Sequence, residues 1–247
     1  MTSNRFFIRK KDIRSNSVHL EGEEHHHLSH VAQLHPDDKV WLFDEEGNTY
    51  TALIEKISKT SSSLSIISQQ TKRDSGTRLI LSQAAIKSKK MDILLQKATE
   101  LGMTDFIPVQ STRSLIKIND RFESKKARWN KIIIAALKQC RRSIRPIIHP
   151  PMTLSTLAQD RQNRLKLFLS ENKGKRLIDI LHLMSQEKKD KPDSILIACG
   201  PEGGWTEKEE HYIVMNDFTC ASLGIYSLRS ETAAISCLAA RQQFWDL

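Results

Sequence analysis

The chain has 247 residues, with 38 Lys and Arg against 29 Asp and Glu, which gives a formal net charge of +9. That length allows one large domain or two of ordinary size. No run of about 18 apolar residues is present, which excludes a transmembrane helix, and the N-terminal apolar run Phe6-Phe7-Ile8 is too short for a secretory signal. The basic charge favours a polyanionic partner such as nucleic acid, although a basic surface without any binding role would have the same composition.

The four cysteines are far apart in the sequence, at positions 140, 199, 220 and 237. None forms a C-x-x-C pair, so the sequence supports neither a zinc motif nor a redox motif. We therefore expect no metal and thiols that stay reduced in a cytoplasmic protein.

The first 73 residues are predicted to be rich in β-strands. Residues 40–43 and 50–54 are predicted to form a hairpin about the turn 44–48, and residues 64–67 form a further strand. Short strands separated by turns suggest a small barrel. A helix is predicted at residues 23–34. Its histidines include an i, i+4 pair, His26 and His30, but a packing or RNA-facing helix explains them better than a metal site.

The polar segment 69–77 predicts a domain boundary, which we place after residue 73. Strands and helices alternate in the remaining residues, 74–247, so we expect a mostly parallel sheet covered on both faces. Strands are predicted at 79–81, 106–109, 165–169, 195–198 and 218–223. Helices are predicted at 91–101, 122–143, 175–184, from Thr206 with a capping box, and at 230–245.

Two turns near the C-terminus carry the strongest functional signal. The first, Gly200-Pro201-Glu202-Gly203-Gly204, follows a buried strand, and its glycines let backbone approach a ligand closely. It matches neither G-x-G-x-x-G nor a P-loop, which argues against NAD and ATP. A purely structural turn remains an alternative. The second, residues 223–231, brings Gly224, Arg229 and Glu231 to another strand end, where Arg229 is a candidate phosphate or substrate contact.

These two motifs, GPEGGWTEKE (200–209) and SLGIYSLRSETAA (222–234), resemble the C-terminal signature of the ribosomal RNA small subunit methyltransferase E family of the SPOUT superfamily. The blocks LQKATELGMTDFIPVQSTRS (95–114) and ARWNKIIIAALKQCRRSIRPII (127–148) resemble that family in order and spacing. The likeness covers nearly the whole chain.

The resemblance implies a PUA-like β-barrel (1–73) followed by an α/β trefoil-knotted SPOUT methyltransferase domain (74–247) that forms a homodimer. It further implies that S-adenosyl-L-methionine methylates N3 of a specific uridine in 16S rRNA of the small ribosomal subunit. By motif, the resemblance assigns cofactor binding to Leu169, Ser170, Gly200, Glu202, Gly203, Gly204, Leu223, Gly224, Ile225 and Leu228.

The reaction must also remove the proton on uracil N3. A cation near the uracil oxygens would favour the anion, and we expect Arg229 to supply it. Glu231 is the candidate proton acceptor or orienter of Arg229, with Glu202 as a third possibility. RNA phosphates are expected to contact Lys87, Lys90, Arg113, Arg141 and Arg142.

The chain departs from the family pattern in four places. The usual Arg-Val-Leu-Arg run is His30-Val31-Ala32-Gln33, which puts RNA contact by that helix in doubt, and the usual Gly-Asp is Asp37-Asp38. Tyr226 replaces a common Arg, and Arg141 replaces the Gly of Cys-Gly-Arg. Two alternatives stay open: another SPOUT RNA methyltransferase, such as one acting on the ribose 2′-oxygen, and a non-catalytic RNA-binding protein.

Overall fold

A computed structural model describes residues 4–71, 76–114, 120–159, 165–170, 174–188 and 192–245, with side chains up to residue 185 in the fifth range. The chain divides into two compact units. The first comprises Met1–Ser75 and Ile134–Arg145, and the second comprises Gly76–Ile133 and Pro146–Leu247. Within the described residues, no helix combines the length and the apolar character that a membrane span requires.

The first unit is built on one six-stranded sheet. Its strands are β1 (Arg5–Phe7), β2 (Ile13–Arg14), β3 (Ser17–Glu21), β4 (Lys39–Phe43), β5 (Asn48–Ile57) and β6 (Ser61–Thr71), in the order β1-β4-β5-β6-β3-β2. The pair β1 and β4 is parallel and the other pairs are antiparallel. Alternate residues of the strands, such as Val40, Leu42 and Ile54, are buried in a common core.

The predicted hairpin of the first unit is confirmed. Asp44 is fully buried at the turn, and its carboxylate accepts hydrogen bonds from the backbone N–H groups of Glu46 and Asn48 and from the Tyr50 hydroxyl. The Asp44 side chain thus satisfies the hydrogen-bond donors of the turn and helps to fix where β5 begins.

The predicted helix at 23–34 is shorter than expected. Helix α1 (Gly22–His26) continues as a single π-helical turn, His27–Val31, and there the helix ends. The backbone then reaches positive φ at Gln33, which an α-helix does not allow. Buried His25 bonds to Ser62 Oγ at 2.7 Å, so it is a satisfied core histidine.

The second unit contains an eight-stranded sheet in which every pairing is parallel. Its strands are β7 (Arg78–Ala84), β8 (Asp105–Gln110), β9 (Ile147–Ile148), β10 (Met152–Thr153), β11 (Leu165–Leu169), β12 (Lys175–Arg176), β13 (Ser194–Cys199) and β14 (Thr219–Ser222). The order is β10-β8-β7-β13-β11-β14-β12, with β9 beside β8. The predicted parallel sheet is confirmed, and β11 and β13 are buried along their whole length.

Six helices of the described residues accompany this sheet. They are α2 (Ser88–Glu100), α3 (Phe122–Cys140), α4 (Leu154–Ala158), α5 (Leu177–Lys188), α6 (Glu207–Val214) and α7 (Ser230–Trp245). The residues of α3 from Ile134 onward belong to the first unit. The helix predicted from 175 begins only at Leu177, because Lys175 and Arg176 pair with β14 instead.

The predicted capping box at the start of α6 is confirmed. Thr206 Oγ1 accepts from the backbone N–H of Glu209, and the Glu209 carboxylate accepts from the backbone N–H of Thr206 at 2.9 Å. This pairing fixes where the chain leaves the glycine-rich turn and becomes helical.

Candidate active site

A cavity of about 650 Å³ opens at the carboxyl ends of β11, β13 and β14. Parallel strands bring the loops that follow them to one edge of a sheet, which is where α/β proteins place ligand sites. The lining is contributed mainly by three segments, and it comprises Leu169, Ser170, Cys199, Gly200, Pro201, Glu202, Gly203, Gly204, Trp205, Leu223, Gly224, Tyr226, Ser227, Leu228, Arg229 and Ser230, with Lys90, Arg113, Glu207, Glu210 and Ala233 from other elements.

The turn after β13 exposes backbone to this cavity. Its closing hydrogen bond runs from Gly204 N to Pro201 O at 2.9 Å, and Gly204 has a φ of +67°. A Cβ on Gly200 would come within 3.2 Å of the buried Trp205 ring. The turn therefore favours glycine for two different reasons: positive φ at one end and the close approach of an indole ring at the other.

A buried glutamine at the end of β7 holds this turn against α7. Gln83 Nε2 donates to Gly200 O at 3.0 Å and to Ser230 Oγ at 2.8 Å, and Ser230 Oγ itself donates to Gly200 O. Sequence reasoning did not identify Gln83. The available signal was a glutamine shortly after the apolar run Leu79-Ile80-Leu81 of the predicted strand, a position where a buried amide needs a polar partner.

The loop after β14 is shaped by Gly224. Its φ of +141° is in a region that side-chain-bearing residues rarely adopt. Leu223, Gly224, Tyr226 and Leu228 line the cavity, whereas Ile225 is 91% exposed and is not part of the lining. The predicted cofactor contact of Ile225 therefore stays a prediction without support from the cavity.

The loop after β11 is tied to α6. Ser170 Oγ donates to a Glu210 carboxylate oxygen at 3.1 Å, and both residues line the cavity. The next carboxylate back along the helix, Glu209, accepts from the backbone N–H of Thr112 at 2.8 Å. Burial raises the pKa of Glu209, but its hydrogen bonds from Thr112 and Thr206 outweigh burial and lower the pKa overall.

Charged side chains gather at one side of the cavity. Lys90 Nζ lies 2.7 Å from Glu202 Oε1 and 3.8 Å from Glu231 Oε2. Arg229 lines the cavity and is exposed, whereas Glu231 is only 8% exposed and is not part of the lining. The two predicted catalytic residues thus differ in access, with Arg229 open to a substrate and Glu231 set back beside Lys90.

The residues predicted to contact RNA are divided between the units. Lys90 and Arg113 line the cavity, and Arg113 Nη1 donates to Gly203 O and Trp205 O at 3.0 and 3.1 Å, so it supports the turn. Lys87 is exposed immediately before α2. Arg141 and Arg142 follow α3 in the first unit, where Arg141 adopts a φ of +63°.

Within the part of the chain that the structure describes, no three His, Cys, Asp or Glu side chains come close enough together to hold a metal ion. The cavity instead offers backbone amide groups, leucine side chains and carboxylates. That set of groups suits an organic ligand with an apolar body and several polar substituents.

Two family models match successive parts of the chain. The model of the RNA methyltransferase PUA domain matches residues 20–67, and the model of the RNA methyltransferase domain matches residues 73–242. Two curated relatives named ribosomal RNA small subunit methyltransferase E are similar along nearly the whole chain. The Bacillus subtilis protein is 29% identical over 96% of this chain and 94% of its own, and the Rickettsia conorii protein is 31% identical over 97% and 95%.

Two solved structures share the fold. The ribosomal RNA small subunit methyltransferase E of Neisseria gonorrhoeae, bound to S-adenosyl methionine, superposes with a TM-score of 0.85 at 30% identity and covers 98% of both chains. A putative methyltransferase of Legionella pneumophila, in complex with the same cofactor, superposes with a TM-score of 0.86 at 28% identity and also covers 98% of both chains. The chain therefore belongs to the ribosomal RNA small subunit methyltransferase E family.

Proposed function

We propose that the protein transfers a methyl group from S-adenosylmethionine to N3 of a specific uridine in 16S rRNA of the small ribosomal subunit. The observation that carries this proposal is the cavity formed by the three loops after β11, β13 and β14, which has four glycines in its lining. The family's name supports the rRNA substrate, and the two similar structures in complex with S-adenosylmethionine support the methyl donor.

The cavity fits the methyl donor in its chemistry. Gly200, Gly203, Gly204 and Gly224 line the cavity without side chains, so the backbone can approach the adenine and ribose closely. The leucines at 169, 223 and 228 offer apolar surface to the adenine ring. The amino group of the methionine moiety is positively charged, and Glu202 and Glu210 give the cavity carboxylates that can pair with it. Ser170 adds a hydroxyl beside Glu210.

When bound, S-adenosylmethionine supplies a methyl group that is already activated for transfer to a nucleophile. The protein must then orient uracil N3 towards that methyl group and favour loss of the N3 proton. Ionisation at N3 spreads negative charge onto O2 and O4 of the ring, so a nearby guanidinium stabilises the anion. Two exposed arginines, Arg113 and Arg229, line the cavity. Arg113 is bonded to the carbonyl groups of Gly203 and Trp205, so Arg229 takes this role in our proposal.

Glu231 is assigned a supporting role. It lies in the first turn of α7, two residues after Arg229, and its side chain is buried beside Lys90. A carboxylate set back from the cavity orients the Arg229 segment more readily than it reaches a proton on the base. The positive end of the helix dipole also favours a carboxylate at this position.

The family implies finer features that we carry over as part of the proposal. The second unit would be a trefoil-knotted SPOUT domain, the first a PUA-like β-barrel, and the protein a cytoplasmic homodimer. The parallel neighbours β13, β11 and β14, whose loops share one edge, support a SPOUT arrangement. The net charge of +9 supports phosphate contacts, for which Lys87, Arg141 and Arg142 remain the candidates.

The test is transfer of a labelled methyl group to small subunits and to naked 16S rRNA that lack the modification, followed by digestion to nucleosides. We expect the label in 3-methyluridine. Label in a 2′-O-methylated nucleoside would replace the proposal with ribose methylation. Absence of both transfer and S-adenosylmethionine binding by calorimetry would leave a non-catalytic RNA-binding protein.

A further inference from the structure

Lys90 occupies a position that the helix itself disfavours. It lies in the first turn of α2, which contains no acidic residue, and Lys87 at the N-cap makes no side-chain capping bond. The N-terminus of a helix carries partial positive charge, so cations there are unfavourable by a few tenths to about 1 kcal/mol. Helix stability therefore does not explain a half-buried lysine at this position.

The two acidic neighbours of Lys90 explain why a lysine occupies this position. Its ammonium group is 2.7 Å from Glu202 in the glycine-rich turn and 3.8 Å from Glu231 in α7. The side chains of Lys90 and Glu202 are 25% and 23% exposed, and that of Glu231 is 11% exposed. Ion pairs with this little solvent access are screened much less than surface pairs.

Without the lysine, the two glutamates would face each other. Because both approach the same ammonium group, their carboxylates are close together, and Glu231 Oε2 makes no hydrogen bond among the described residues. Two partly buried like charges repel, and one buried carboxylate would lose its compensating charge. The repulsion would push the turn 200–204 away from the start of α7.

We infer that Lys90 is a positioning residue that joins the turn 200–204 to the first turn of α7 and so holds two loops of the methyl-donor site in one geometry. This assignment rests on the proposed function and differs from the RNA-phosphate contact that the sequence predicts for Lys90. A phosphate contact would leave the ammonium free for the nucleic acid, whereas here two carboxylates already share it.

The test compares Lys90→Met with Lys90→Arg, using Lys97→Met as the matched control. Lys97 is on the same helix and loses the same charge, and its ion pair is the local one with Glu100. Binding of S-adenosylmethionine is measured by calorimetry, and kcat and KM for RNA by methyl transfer. We expect Lys90→Met to weaken donor binding and lower kcat roughly 10- to 100-fold, because misplaced binding groups cost factors of this size.

Donor binding by Lys90→Arg and by Lys97→Met should be tighter than donor binding by Lys90→Met. Lys90→Arg keeps the charge and should recover most of the binding, and Lys97→Met should bind the donor as the wild type does. In the Glu202→Gln background the Lys90→Met change should cost less than in the wild type, because the repulsion is then absent. Thermal melts of each variant identify any that fail to fold. If Lys90→Met does not fold, the donor affinities of Lys90→Arg and Glu202→Gln still test the inference.

Two outcomes would overturn the role of Lys90, and a third would contradict only the proposed function. Unchanged donor affinity in Lys90→Met, with only a higher KM for RNA and a shallower salt dependence, would identify Lys90 as a phosphate contact and overturn the inference. Equal losses in Lys90→Met and Lys97→Met would overturn it too. Failure of the wild type to produce 3-methyluridine would contradict the proposed function alone, because the calorimetric arm does not depend on RNA.

Discussion

Gln83 Nε2 donates a hydrogen bond of 2.8 Å to Ser230 Oγ and thereby joins the end of β7 to the first residue of α7. The same nitrogen donates to Gly200 O, so one amide group holds the glycine-rich turn and the helix that follows the second loop. Two of the three loops at the candidate site thus share a single buried anchor.

The first prediction removes that anchor with Gln83→Leu, which keeps the volume and removes the amide. Gly200 O retains its bond from Ser230 Oγ, so we expect the free energy of unfolding to fall by only about 1 kcal/mol. Binding of S-adenosylmethionine should weaken more clearly, by roughly tenfold, because both loops lose the amide group that holds them in position.

Calorimetry and chemical denaturation give the two quantities separately. Gln96→Leu, at an exposed position of α2, serves as the control and should leave donor affinity unchanged. Wild-type affinity in Gln83→Leu would show that the loops do not need this anchor.

The sequence predicts the elements of this site but not the contacts among their polar side chains. Alternating strands and helices predict the parallel sheet, and the Thr206 to Glu209 pattern predicts the capping box, because both depend on neighbours within a few residues. The partners of Lys90 are more than 100 residues away along the chain, and a lysine in the first turn of a helix has no local signature of such pairing. For the same reason, the sequence did not reveal that Ile134–Arg145 belongs to the first unit.

The second prediction concerns Gly224, whose φ of +141° is costly for any other residue. A Cβ there would meet no atom within 4 Å, so Gly224→Ala acts through the backbone alone. We expect the loop 223–228 to shift and donor binding to weaken roughly tenfold. Gly22→Ala is the matched control, because Gly22 also has positive φ and open space around it but belongs to the first unit. Equal donor affinity in both variants would refute the role of this loop.

The third prediction is a loss of stability in acid. Asp105 is almost fully buried, which raises its pKa, but hydrogen bonds from Arg78, His149 and Thr104 outweigh burial and lower the pKa to about 2. A pKa lower in the folded state than in the unfolded chain stabilises the fold above the unfolded value, near 4. This contribution, about 2 kcal/mol, should be lost as the pH falls from about 4 to 2.

Denaturation of the wild type and of Asp105→Asn across that pH range measures the effect. The variant should be less stable near pH 6 and should show a smaller loss on acidification. Asp179→Asn, an exposed residue 3.8 Å from Arg176, should follow the wild-type pH dependence. A pH dependence in Asp105→Asn as steep as that of the wild type would contradict the assignment.

The last prediction tests the side chain that we place at the reacting base. Arg229 is exposed at the cavity, and its backbone carbonyl accepts from Ala233 N at 2.8 Å in the first turn of α7, so its position does not depend on its own side chain. Arg229→Ala should therefore fold normally and bind S-adenosylmethionine with wild-type affinity. Its kcat should fall roughly 100-fold, the size of effect seen when one group that stabilises a developing anion is removed.

The pH profile distinguishes this role from simple RNA binding. If Arg229 favours ionisation at N3, its loss matters less at higher pH, where the base ionises more readily without help, so the ratio of wild-type to variant kcat should shrink as the pH rises. Arg229→Lys should be intermediate, because it keeps the charge and loses the planar fork. Arg176→Ala, on the exposed strand β12, controls for the loss of one positive charge. A kcat near the wild-type value in Arg229→Ala, or a defect confined to KM for RNA, would remove Arg229 from the chemistry and assign it to substrate binding.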